Sequence, residues 1–148
     1  MTLPRPRRIS PPAPVGSMLK NPAAAVARKP RREERDNDPQ YLDEVRSLPC
    51  LYCGVEPCEA AHVRMASAAF GKSSGLGKKP ADRWALPLCS SDHRNAKHAQ
   101  HNQGERAFWE GIGINPLIVC DALYAQRGDM VAMRAVVMVA IANRSKSR

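Results

Sequence analysis

Tyr41, Leu42, Val45 and Leu48 recur at helical spacing and form one small apolar face, so a helix is expected from Pro39 to Ser47. Asp38 or Asn37 would cap it, Pro39 suits its first turn, and Pro49 ends it. Glu59 to Arg64 reads as a short extended strand. Arg83 to Leu88 is a second short apolar stretch, and Cys89 to His98 is compatible with a helix. Gly104 to Gly111 reads as another short helix anchored by Phe108 and Trp109. Asn115-Pro116 then opens a helix to about Gln126. Leu117, Cys120 and Tyr124 share an apolar face of that helix, which makes Cys120 a core thiol. Gly128 breaks it, and Asp129 caps a last helix to about Asn143.

Two segments break the pattern. Residues 1–38 carry Pro4, Pro6, Pro11, Pro12, Pro14, Pro22 and Pro30, which interrupt any helix and leave few donors for a sheet. The same segment has nine basic and four acidic residues, a net +5, and is expected to be a disordered basic tail that attracts phosphates without ordering. Ser67 to Pro80 is rich in Gly, Lys and Ser and is expected to be a flexible loop. The division that follows is a tail over 1–38, a core over 39–116 and C-terminal helices over 117–148. The longest apolar run, Met130 to Ala142, contains Arg134 and is too short to span a bilayer. With no apolar secretory segment visible, a cytoplasmic protein without membrane association is expected.

Charge and cysteines narrow the chemistry. A formal net charge of +9 over 148 residues favours a polyanionic partner, of which nucleic acid is the commonest. Five cysteines, an odd number with two in a Cys-x-x-Cys pair, fit metal binding in a reducing compartment better than a disulfide framework. Cys50-Leu51-Tyr52-Cys53-Gly54 is half of a zinc knuckle: two thiolates bracket a tight turn, and Gly54 lets the chain fold back. Cys89 is the third ligand. The fourth is Asp92 at the matching spacing, His93 one residue later, or Cys58. The segment from Pro49 to Trp109 has few large apolar residues, and so small a core calls for a structural Zn²⁺ as a staple.

His62, His93, His98 and His101 all fall in this same Cys-rich stretch. Hydrolysis of a phosphodiester needs a base to activate water, and ligands that hold a divalent ion against the leaving oxygen. A histidine ending one strand, followed by a second strand and a helix with further histidines, would supply both.

In order along the chain stand Cys50-x-x-Cys53, Glu59-Ala-Ala-His62-Val-Arg64, Gly75-Leu-Gly77-Lys-Lys-Pro80-x-Asp82, Leu86-Pro-Leu-Cys89 and Gln100-His101-x-x-Gly-Glu105-x-x-Phe108-Trp109. From about Leu48 to Pro116 this set resembles the HNH (ββα-metal) endonuclease superfamily, especially the phage-type group related to the Ref nuclease. The resemblance implies an α+β fold: a small zinc-stapled ββα-metal core with flanking short helices. It also implies a catalytic divalent metal, Mg²⁺ or Mn²⁺. His62 matches the general base, His93 the helical metal-binding position, and His101 a further active-site histidine. Arg64 would contact the scissile phosphate, and Asp82 would order the loop. The sequence departs from the family at Ala61, where an acidic or histidine ligand often precedes the base, and at Asp92, where the second knuckle usually has Cys or His.

The expected function is metal-dependent hydrolysis of DNA phosphodiesters, with single-stranded or recombinase-bound DNA among the candidate partners. The alternative is a non-catalytic, zinc-stabilised DNA-binding or recombination accessory module. Both need zinc and basic charge, but only the nuclease needs His62.

Overall fold

A computed structural model describes residues 37–73 and 79–144. The tail expected over 1–38 lies almost wholly outside the described residues, as does the middle of the 67–80 loop. Helix α1 spans Pro39–Arg46. Asp38 caps it by accepting the Tyr41 amide at 3.0 Å, which satisfies one of the donors a helix start leaves free. Its apolar face (Tyr41, Leu42, Val45) is buried, and Leu48 follows it into the core.

Strands β1 (Glu59–His62) and β2 (Ala85–Leu88) pair antiparallel, with Glu59 opposite Leu88 and His62 opposite Ala85. The Val63 amide continues the ladder to the Trp84 carbonyl at 2.8 Å. All four residues of β2 are buried, which explains its continuous apolar run. Two short turns are described between the strands. Ala68–Phe70 form a 3₁₀ turn closed by a Ser67–Lys72 bridge, and Asp82–Trp84 form another immediately before β2.

After β2 the expected helix over Cys89–His98 is not regular. Ser91–Asn95 form one π-helical turn, and Ala96 is already extended. Helix α2 (Gln100–Gln103) and helix α3 (Glu105–Ile112) follow, the latter burying Phe108, Trp109 and Ile112. Helix α4 spans Pro116–Ala125, and its cap Asn115 accepts the Leu117 and Ile118 amides. Helix α5 spans Met130–Arg144, and Asp129 accepts the Val131 and Ala132 amides at its start.

Among the described residues the architecture is α+β: five helices and a two-stranded antiparallel ribbon. Helices α4 and α5 bury Leu117, Cys120, Leu123, Met133 and Val137 in the same core as Tyr41, Leu86 and Trp109, so the C-terminal helices are part of the scaffold that holds the ribbon. Tyr41 ties the layers together: its hydroxyl donates to the Ala85 carbonyl, and its ring meets Tyr124 edge-on. Among the described residues no helix is long and apolar enough to cross a membrane.

Candidate metal centre

The Cys50–Gly54 turn is a knuckle built by backbone bonds. The Gly54 amide donates to the Cys50 carbonyl at 2.8 Å, the Tyr52 amide points at Cys50 Sγ at 3.4 Å, and the Cys50 amide bonds the Val55 carbonyl. Gly54 has φ +77°, a conformation that side chains disfavour, and here that permits the chain to reverse. The Leu51 amide bonds the Pro87 carbonyl, which sets the knuckle beside β2 and brings it to Cys89 at that strand's end.

Cys50, Cys53, Cys89 and Asp92 converge, their ligand atoms all within 4.8 Å of one another, and together they could hold one metal ion. Cys53 Sγ lies 3.6 Å from Cys89 Sγ, and Asp92 Oδ2 lies 3.3 Å from Cys50 Sγ and 3.0 Å from Cys89 Sγ. A tetrahedral ion with bonds of about 2.3 Å to sulfur and about 2.0 Å to oxygen would space its sulfurs by about 3.8 Å and sulfur from oxygen by about 3.5 Å. Those three pairs stand slightly inside these distances and every pair lies within 4.8 Å, so the spacing and the chemistry both suit such an ion. Asp92 is the residue that completes this cluster with the three cysteines. Cys58 instead donates to the Val55 carbonyl at 3.4 Å, and His93 turns away to another partner.

The electrostatics favour anionic donors unequally. A hydrogen bond from the Cys58 thiol draws Cys50 down to about 6, whereas burial pushes Cys53 and Cys89 up. Burial also opposes ionisation of Asp92, but hydrogen bonds from the neighbouring thiols and His98 outweigh it and hold the carboxyl below its usual range. A bound cation would bring the remaining thiols to thiolates.

The histidines divide into separate partnerships. His93 Nδ1 lies 2.6 Å from Glu59 Oε2, and Arg94 bonds the other oxygen of that carboxylate. The His101 ring meets the His93 ring edge-on at 4.6 Å. His98 Nε2 lies 2.8 Å from Asp92 Oδ1, and its ring stacks on Tyr52. His62 Nε2 lies 2.9 Å from Oδ1 of the buried Asp82, which also takes Lys79 at 2.9 Å and the Asp38 amide. Asp82 thus orders the start of α1 and the chain before β2 while also fixing His62. The Arg64 amide donates to both oxygens of Glu105, leaving its guanidinium exposed. The structure brings His93 and His101 together but gives His62 no hydrogen bond or ring contact with either.

Burial, aided by the charges of Lys79 and Arg64, lowers the His62 pKa despite the opposing hydrogen bond to Asp82. His101 is lowered as well, first by partial burial and then by His93, Arg64 and Arg94. Both rings are held toward the neutral form that a base or a ligand requires. Sequence reasoning assigned Glu59 no role. The one signal for it was its place in the same six-residue motif as His62.

A family model described as "Protein of unknown function (DUF968)" matches residues 17–120. The chain belongs to the DUF968 family. All four converging donors and all four histidines lie within the matched span. No curated protein and no solved structure matches the chain.

Proposed function

We propose that this DUF968 chain is a metal-dependent DNA endonuclease of the HNH type, stapled by zinc on Cys50, Cys53, Cys89 and Asp92. The observation that carries the reading is the division of labour within one π-turn. Asp92 faces the three sulfurs, while the next residue, His93, faces Glu59 beside His101. With Nδ1 directed at a carboxylate, His93 has Nε2 free as a donor, the arrangement in which an outer carboxylate orients a metal-binding histidine. His93 and His101 would hold the catalytic Mg²⁺ or Mn²⁺, and Glu59 would orient His93. Such an ion supplies charge stabilisation for the departing 3′-oxygen.

His62 takes a proton from water through its Nδ1, since Nε2 is committed to Asp82. The resulting hydroxyl attacks phosphorus, the P–O3′ bond breaks, and the 3′-oxygen departs and is protonated by solvent. Arg64 neighbours both His62 and His101 electrostatically and binds the scissile phosphate between them. The +9 charge supplies the sequence-independent part of DNA affinity.

The second reading, a zinc-stabilised DNA-binding or recombination accessory module without catalysis, draws on the separation of His62 from the His93–His101 pair. One experiment divides the two. Purified protein is incubated with single- and double-stranded DNA, with and without Mg²⁺ or Mn²⁺, beside His62→Ala. Metal-dependent nicking that the variant loses supports the nuclease. DNA binding with no cleavage by either protein supports the accessory module.

A further inference from the structure

Asp92 divides its two oxygens. Oδ2 faces Cys50 and Cys89 at 3.3 and 3.0 Å, while Oδ1 points outward to His98 Nε2 at 2.8 Å. A carboxylate is a mobile, hard donor among soft sulfurs, and free rotation would let it swing between one-oxygen and two-oxygen contact with an ion. Nothing on its own turn holds Oδ1. The turn ends at Asn95, and the partner comes from His98, beyond an extended Ala96. His98 is itself held by a ring on the knuckle. Its ring stacks on Tyr52 at 4.8 Å, Tyr52 stacks on Phe108 of α3, and Arg144 at the end of α5 lies over Tyr52 while bonding the Leu51 and Tyr52 carbonyls. The side chain that aims Asp92 is thus anchored to the inside of the Cys50–Cys53 knuckle.

We infer that His98 is the positioning residue of the metal centre: it holds Asp92 Oδ1 so that Oδ2 is presented to the ion as a single-oxygen ligand. It makes no bond to the ion itself. The inference rests on the Cys50/Cys53/Cys89/Asp92 donor set and not on the nuclease reading, so absence of DNA cleavage leaves it intact. Removing such an outer partner typically weakens metal binding by about 10–100-fold.

The test is Zn²⁺ affinity of the full chain by competition with a chromophoric chelator, together with the visible spectrum of the Co²⁺-loaded protein. His98→Phe keeps the stack on Tyr52 and loses the hydrogen bond. His98→Gln keeps a donor. The expected results are a loss of about 10–100-fold for His98→Phe, a largely restored affinity for His98→Gln, and a changed Co²⁺ spectrum for His98→Phe alone. In an Asp92→Ala background, His98→Phe should cost nothing further, because its effect runs through Asp92. Wild-type affinity in His98→Phe would overturn the inference. So would equal losses in the Phe and Gln variants, or a full additional loss in the Asp92→Ala background.

Discussion

Asp92 and His93 are neighbours on one π-turn, yet their surroundings are built to different degrees. Asp92 is buried, meets two sulfurs through one oxygen and is held by His98 through the other. His93 meets one carboxylate and the edge of one ring. The difference lies in what surrounds each. The thiol side is fixed by backbone bonds of the knuckle and by its bond to β2. The histidine side is fixed by side-chain pairs, Glu59–His93 and Asp82–His62, that sit on opposite halves of the motif. A structural site closes around its ion, whereas a catalytic site keeps positions open for water and substrate. On the proposed nuclease reading, the histidine side is the one that reacts.

The sharpest way to break this contrast is to empty the thiol side. Structural zinc contributes about 10–16 kcal/mol in small finger peptides, as much as the whole stability of an ordinary domain at about 5–15 kcal/mol. Cys89→Ser, or strong chelation of the wild type, is expected to abolish cooperative thermal unfolding, and the metal content should fall from about one ion per chain. A chelated protein that melts as the loaded one does would show that the helical core alone carries the fold.

Next in size comes His62→Ala. Loss of a general base costs about 10²–10⁴-fold in rate. The cleavage rate on supercoiled DNA should drop by that factor while zinc content and DNA affinity stay at wild-type levels. If the variant sheds zinc, His62 belongs to the structural side of the comparison and its assignment as base is wrong.

A smaller effect is expected at Glu59. Without its carboxylate, His93 loses its orienting partner, and Mn²⁺ affinity of the zinc-loaded protein should fall by about 10–100-fold for Glu59→Ala. Calorimetric titration reads this directly, and the tightly held zinc should be unaffected. An unchanged Mn²⁺ isotherm would remove His93 from the catalytic set.

What could be read from the sequence follows from range. Asp38-Pro39 and Asn115-Pro116 announce their helices because a cap and its amides are two or three residues apart. The Cys-x-x-Cys turn and the Cys89–Asp92 spacing are equally local, and they pointed to the four residues that converge, with His93 and Cys58 as competitors. The partners of the histidines were not legible. Glu59 meets His93 across 34 residues and Asp82 meets His62 across 20, and an acid in an unaligned sequence gives no sign of which cation it will face. The expected helix over Cys89–His98 failed for a related reason. Helical composition favours a regular turn, but Asp92 reaches the thiols and His98 reaches back to Asp92, and the chain widens into one π-turn and then extends.

The smallest expected effect is a displacement in pH, and it separates orientation from basicity at His62. Burial depresses the His62 pKa, while the Asp82 hydrogen bond pulls in the other direction. Because the folded chain binds that proton less readily than the unfolded chain, His62 contributes stability that is complete above the ordinary histidine range, around 6.5, and is lost as pH falls through the depressed folded value. Cleavage should follow the same acidic limb, since only the neutral ring can accept a proton from water. Asp82→Asn removes the one group opposing burial, so the limb should move to still lower pH, even as the plateau rate falls because Nε2 is no longer held. Ring NMR of His62 gives the same shift without relying on activity. A limb that moves to higher pH in Asp82→Asn would mean that Asp82 keeps the ring neutral by some other route, and the balance of burial against hydrogen bonding drawn for this pair would be wrong.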